Sequence, residues 1–394
     1  MPLFVMLGFV FVVANSPNRF LYDEPYFVNY VPLLHEHGFT PNFLNSLTGA
    51  AGPLYAVIHR ICEPFTHLQP PRMRLVNVLL LCVLTGVLAS AVKRYLPSRR
   101  WFVIGGVLVV PMTWVTAGMA LSEMPAMLFV ALSLYCQLKG LAAFEAHRQF
   151  TIWFLLSGAC LGVAVWGRQP YLLLLSIPIV LAIVERRLRV AAVLFVSVVA
   201  VCTIPLFVIW QGLTPPSHHS LQQGIAVSHG VLSLGYVAIC SMLLAPRRPS
   251  LSAMQTLVVM TSILALNAAF EVLQLYPVRS AAQRYLSPPM LHAYGIACGS
   301  LFASVGVVFF MSQLQTIWSN RDKLQTLAVN AGLLCIALSP LFVAHQYSSR
   351  YTAMSLPYLI MASAPLYREN MKSFGSHALG YILGAMSLYG YYSY

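Results

Sequence analysis

Two adjacent acids, Asp23 and Glu24, follow directly on an apolar opening segment, within the stretch FLYDEPYFVNYVPLLHEHG. A carboxylate held in place can accept the proton of a hydroxyl as that hydroxyl becomes a nucleophile. On one helix the two side chains diverge by about 100°, so a joint clamp is not expected. One is expected to face a site and the other a structural partner. A plainer reading, in which Asp23 caps a helix and Glu24 is a solvated first-turn acid, stays open.

Arginines are the second set of chemistry-bearing residues. Arg60, Arg72, Arg74, Arg168, Arg279, Arg284 and Arg350 all fall in segments expected on the same membrane face as the acid pair. Arg168, in WGRQPY, is wedged between two apolar runs, where an ionisable group is expensive and calls for a partner. Snorkelling, or pairing with Glu123 of ALSEMPAM, would answer that need equally well. Guanidinium forks match phosphate oxygens, so several of them converging on an acid-bearing loop point to a phosphorylated ligand. Arg168, Arg279, Arg284 and Arg350 are the phosphate-binding candidates, and Glu123 is expected to face the same cavity.

Other chemistries fit less well. His35 and His37 lie two apart and point away from each other on a helix, and no HExxH pattern accompanies them. No protein-held metal is therefore expected. No GxSxG elbow, P-loop or strand-linked GxGxxG occurs, so no cofactor is expected either, with a free divalent ion as the alternative. Gly380 and Gly384 form a GxxxG, which reads as close helix packing.

The elements that must position these residues are membrane helices. The chain is 59% hydrophobic and 8% charged, with a mean hydropathy of +0.75, which excludes an ordinary soluble domain. Apolar runs long enough to cross a bilayer as helix recur throughout. They fall near residues 1–16, 75–92, 101–118, 124–141, 150–166, 170–184, 190–210, 229–245, 251–270, 290–312, 324–343, 352–366 and 377–393. The fold class expected is an all-α polytopic bundle of about 12 to 13 spans, treated as one domain over 1–394. The first run has no basic n-region or clear cleavage site and is read as a span rather than a leader. The last, rich in Tyr and Gly, is either a span or interfacial.

A net charge of +13 would suggest nucleic acid in a soluble protein. Here, with the amino terminus inside, most basic residues fall in the short cytoplasmic turns, among them Lys93, Arg94, Arg186, Arg187, Arg189, Arg247, Arg248, Arg321, Lys323, Arg368 and Lys372. The excess is topological, and no nucleic-acid partner is expected. Seven of eight cysteines lie in spans, with Cys62 in an outer loop, so no disulfide framework is indicated.

Long connections gather on the outer face. Residues 17–74 form a first loop too long to be a mere connector and expected to carry its own structure. A helix is predicted from Asp23 to Gly38, with Pro25 in its first turn, a bend or stop at Pro32, and an apolar stripe suited to the bilayer surface. A second helix is predicted from Pro53.

The acid pair after the first span, the long first loop, GPLY, then RLVNVLL, SEMPAMLFVALSLY and a late RYTAMSLPYLI resemble the GT-C membrane glycosyltransferases along most of the chain. Within that superfamily, YDEPYFVNY, GPLY, GRQPY and HQYSSRYT resemble the DE, PPGLY, RQTN and NRHYT elements of the dolichyl-phosphate-glucose alpha-1,2-glucosyltransferases. Ala51 and Gly52 stand where the double proline would begin, and Pro170 and Tyr171 follow Arg168 and Gln169. Protein O-mannosyltransferases and aminoarabinose transferases are looser relatives.

The resemblance implies a polyprenyl-phosphate-linked sugar donor and a glycan, lipid or protein acceptor, meeting at the extracytoplasmic or lumenal face of a bacterial plasma membrane or the endoplasmic reticulum. It implies an inverting displacement in which Asp23, beside Glu24, takes the acceptor proton while arginines stabilise the departing phosphate. Tyr55, Gln169, His345 and Tyr351, in the matching motifs, then become substrate-binding candidates with Glu123. Two rival classes remain: a transporter or lipid flippase, whose charges would line a two-gated path, and a membrane acyltransferase or lipid A type ligase. The gathering of charge on one face and the lack of a visible repeat count against transport.

Overall fold

The computed structural model describes residues 2–95, 100–221, 224–246, 251–275, 279, 282–283, 285–343 and 348–393. Among them every regular element is helical. In chain order the helices are α1 (Pro2–Ala14), α2 (Glu24–Val28), α3 (Tyr30–His37), α4 (Pro41–Asn45), α5 (Leu54–Thr66), α6 (Arg72–Tyr95), α7 (Arg100–Val109), α8 (Pro111–Gly118), α9 (Glu123–Glu145), α10 (Thr151–Gly167), α11 (Ser176–Val184) and α12 (Arg189–Trp210). They continue as α13 (Val227–Leu244), α14 (Ala253–Phe270), α15 (Pro288–Ser319), α16 (Leu324–Ala337), α17 (Arg350–Ala353), α18 (Leu356–Ser363) and α19 (Met371–Tyr392). The chain is an integral, multi-pass membrane protein. Seven of the described helices are long and apolar enough to cross a bilayer alone, and shorter apolar helices, including Pro2–Ala14 and Thr151–Gly167, fill out the bundle.

One expected span is broken. Residues 101–118 were expected as a single crossing, but α7 and α8 meet at an 82° bend. Pro111 opens α8 and has no N–H with which to continue α7, and the Trp114 indole donates to the Leu108 carbonyl across the corner at 2.8 Å. The last helix nests in this elbow. Cβ atoms at Gly380 and Gly384 would strike the Val109 carbonyl and the Trp114 ring, so the GxxxG serves close backbone approach.

The first loop is built on the bundle rather than hung from it. Its two predicted helices are present, but the first divides at Asn29, between α2 and α3, three residues ahead of the predicted bend. Pro32 accounts for the division, since it cannot donate to the Val28 carbonyl. α3 ends at Gly38, whose φ is +61°. Phe43, Leu44, Leu47, Tyr30 and Tyr55 are fully or almost fully buried. The Trp210 indole of α12 donates to the Leu44 carbonyl at 2.8 Å, and Phe39 stacks on Trp166 of α10 with centroids 5.4 Å apart. At Gly52, immediately before Pro53, the loop backbone presses so close to the Trp166 carbonyl that a Cβ has no room.

Helix directions sort the charges. α6 and α9 begin at the face that carries the first loop, and α10 and α12 end there. The turn after α16, the start of α17 and the end of α19 come to the same face. Lys323, Arg368 and Lys372 lie at the opposite end.

Candidate active site

The two acids part at the start of α2. Asp23 occupies the N-cap position, yet its side chain makes no capping hydrogen bond. Instead it accepts from the Arg350 Nη2 at the start of α17, and its side chain keeps 42% exposure. Glu24, one position on, is fully buried. Its Oε1 accepts from Arg74 Nε and the Ala120 N–H, both at 2.8 Å. Its Oε2 accepts from Arg74 Nη2 at 2.7 Å and the Leu21 N–H at 2.8 Å. Sequence reasoning made Glu24 a catalytic candidate beside Asp23. In the structure both of its oxygens are occupied within a fully buried pair, the structural-partner role that the sequence held open for one of the two acids.

Arg74 completes that arrangement. Its remaining N–H groups go to Ser16 Oγ at 2.8 Å and to the Pro17 and Arg19 carbonyls, each at 2.7 Å. One guanidinium thus ties the end of α1 to the start of α2. Three residues further along α6, Asn77 Nδ2 donates to the Met119 carbonyl at 2.7 Å and to that of Leu121 at 2.9 Å. The α8–α9 link is therefore held by Glu24 on one side and Asn77 on the other. Neither Arg74 nor Asn77 was a site candidate. The available signal was their i, i+3 spacing in RMRLVNVLL, which puts two polar groups on one face of an otherwise apolar helix.

A second ion pair stands beside the first. Arg168, in the turn after α10, donates through Nη2 to Glu123 Oε1 at 2.5 Å. Both side chains are buried, which bears out the pairing alternative raised for Arg168. Neither partner is saturated: Arg168 Nε and Glu123 Oε2 are buried without a hydrogen bond. Arg350 likewise keeps a buried Nη1 without one, and Gln169 a buried Nε2.

These groups form one electrostatic cluster. Burial works against the charge on Arg350, but the carboxylates of Glu123 and Asp23 outweigh it and hold the guanidinium above its ordinary pKa. Tyr351 lies within the fields of Arg168, Arg350, Glu123 and Asp23 together, and burial raises its hydroxyl above the usual range. Tyr391, near the end of α19, lies within the fields of Arg350, Asp23 and Glu123 as well, and it packs on Tyr22 with centroids 4.7 Å apart. Tyr391 had no motif to mark it.

The remaining candidates separate. Tyr55 is buried, its hydroxyl without a hydrogen bond, and it lies against His59 at 4.1 Å between centroids. Both His59 ring nitrogens are also buried without a hydrogen bond of good geometry, and burial, opposed only by the nearby Asn77 side chain, lowers its pKa to about 3. Arg279 donates to Gln274 at 2.9 Å, and no hydrogen bond or ion pair among the described residues joins it to Asp23, Glu123, Arg168 or Arg350. Arg284 and His345 lie outside the described residues. No group of three or more His, Cys, Asp or Glu side chains gathers among the described residues.

No protein-family model and no curated relative matches the sequence. Solved structures do share its architecture. ArnT from Cupriavidus metallidurans bound to undecaprenyl phosphate superposes with a TM-score of 0.56 at 16% identity, covering 98% of this chain and 63% of that one. The same protein in its apo state gives 0.54 at 17% identity, with coverages of 96% and 61%. The chain has the GT-C fold of ArnT. It spans less than two thirds of the ArnT length, and at this identity the likeness is one of fold.

Proposed function

We propose that the chain is a membrane glycosyltransferase that moves a sugar, of hexose type, from a polyprenyl-phosphate donor to an acceptor hydroxyl. The observation that carries the reading is the cluster around Asp23. It joins a partly exposed carboxylate, hydrogen-bonded to Arg350, to buried guanidinium donors on Arg350 and Arg168 that have no partner. An unpaired buried donor is costly, and the phosphate of a lipid-linked donor would satisfy both. Support also comes from the fold neighbour, which was captured with undecaprenyl phosphate.

In this mechanism Asp23 accepts the proton of the acceptor hydroxyl as its oxygen bonds to the anomeric carbon. The bond from that carbon to the phosphate oxygen breaks on the opposite face, the phosphate keeps the electron pair, and the sugar is inverted. Arg350 orients Asp23 through its hydrogen bond, and with Arg168 it takes up the charge of the departing phosphate. A general base contributes about 10² to 10⁴ in rate, and charge stabilisation in a dry site at least as much. Glu123 orients Arg168. Tyr351 and Gln169 present polar groups to the sugar. The site is assigned to the extracytoplasmic or lumenal face, because the basic turns expected inside lie at the other end of the bundle.

The test is label transfer. Membranes containing the protein are incubated with a panel of radiolabelled polyprenyl-phosphate sugars, and label is followed into glycan, lipid and protein fractions. Transfer from one donor, lost in Asp23→Asn, supports the reading. Movement of intact donor across the bilayer without transfer would favour a flippase.

A further inference from the structure

At the end of the bundle opposite Asp23 lies a cavity of about 650 Å³ that the reaction above does not use. Its origin is visible in α14. Of that helix only Asn267 is buried, and 6% of its apolar window is covered by protein. Asn267 Nδ2 donates to the Ile296 carbonyl at 3.2 Å and to Ser300 Oγ at 3.0 Å, pinning the late part of α14 to the early part of α15. Towards its other end no comparable hydrogen bond pins α14 to a neighbouring helix among the described residues. The cavity is the wedge left between Thr256 and Met260 of α14 and the lower halves of α13, α15 and α16.

The wedge is graded in polarity. Its inner wall is apolar, with Val305, Val308 and Phe309 of α15 and Met260 of α14. Towards the end of α15 the wall turns polar at every fourth residue, through Ser312, Thr316 and Asn320, and reaches Lys323. Ser312 Oγ and its neighbour Gln313 Oε1 are buried with no hydrogen-bond partner, which within a membrane span is costly. Lys323 is exposed and has no ion-pair partner among the described residues. Two acids lie close in sequence or space: Asp322 is exposed beside it, and Glu145 accepts from Gln325. Trp318 is 73% exposed and carries Arg321 over its ring, the arrangement of a residue at the level of lipid head groups.

We propose that this wedge is a binding site for one anionic glycerophospholipid of the leaflet opposite the active site. The phosphate sits at Lys323 and Asn320, the orphaned Ser312 hydroxyl and the Gln313 amide N–H donate to the glycerol ester carbonyls, and an acyl chain lies along Val308, Phe309 and Met260. An apolar wall grading into hydroxyl, amide and then ammonium groups matches the order of groups along such a lipid. A space open to hydrocarbon beside a helix as bare as α14 would not stay empty.

The test uses the full chain, purified in mild detergent and stripped of lipid. Phosphatidylglycerol, phosphatidylcholine, inorganic phosphate and undecaprenyl phosphate are added separately, with thermal melting and native mass spectrometry as readouts. One phosphatidylglycerol per chain should be retained and should raise Tm, whereas phosphatidylcholine and inorganic phosphate should not. Lys323→Ala should weaken retention about fivefold, the typical value of one lysine near an anionic lipid surface. Ser312→Ala with Gln313→Met should leave the lipid-free Tm at or above that of the unaltered protein, yet abolish the phosphatidylglycerol shift. A lipid-free Tm that is unchanged or higher shows that the variant folds. Equal shifts with phosphatidylcholine, a shift preserved in the double variant, retention of undecaprenyl phosphate instead, or a dimer in place of bound lipid would each overturn the proposal.

Discussion

Glu24 and Arg74 meet as a two-pronged pair, Nε to Oε1 at 2.8 Å and Nη2 to Oε2 at 2.7 Å, with neither side chain exposed. Their role follows from what else they hold, since through Ser16, Leu21 and Ala120 they join three separate backbone turns. Removing one partner strands a buried charge, at a cost of about 3–5 kcal/mol. Arg74→Ala should therefore lower yield and melting temperature sharply in detergent. Normal melting together with lost transfer would instead give the pair a direct part in the reaction.

Asp23→Asn should behave in the opposite way. The side chain is partly exposed, and pairs of that kind contribute about 0–1 kcal/mol to stability, so melting should stay close to that of the unaltered protein. Transfer should fall by at least about 10²-fold. Full turnover in this variant with the right donor would remove Asp23 as the base.

Arg350→Lys keeps a charge but loses the planar fork. If Arg350 stabilises the departing phosphate, kcat should drop by about 10²–10³-fold, the range seen when one stabilising donor is lost. A rise in KM alone would mean that it only binds the ground state.

His59 predicts an acid-sensitive fold. Its folded pKa of about 3 lies below the unfolded value of 6.5. Below pH 6.5 the unfolded chain takes up a proton that the folded one refuses, so stability falls as pH falls, down to about pH 3. The slope is about 1.4 kcal/mol per pH unit. His59→Phe should flatten the pH dependence of melting between 6.5 and 4, and an unchanged slope would contradict the assignment.

Gly52→Ala tests the seating of the first loop. The added methyl must displace backbone at Trp166, moving Tyr55 and the loop away from α10. Both melting temperature and transfer should fall. Wild-type values would show that the contact gives way without cost.

Much of this was legible in the residues. The divergence of Asp23 and Glu24 follows from helical geometry, and Pro25, Pro53 and Gly38 mark the loop helices that form. The elbow at Val110–Pro111 was hidden because hydropathy runs straight through it, although the proline was the available warning. Arg74 and Arg168 illustrate a different limit. Arg168 was flagged as an arginine needing a partner and Arg74 only as one of the outer-face arginines; in both cases the partner depends on which helices become neighbours, and spacing along one chain cannot supply that. The same limit hid Tyr391, which reaches the cluster only because α19 folds back into the elbow.

The pairing of Tyr22 with Tyr391, like that of Asp23 with Arg350, has a consequence for timing. A chain inserted from amino to carboxyl end lays down the carboxylate 327 residues ahead of the guanidinium. Until the closing helices leave the insertion machinery, the nascent protein holds a lone acid with nothing to organise it. The proposed base and its arginine therefore come together only late in insertion.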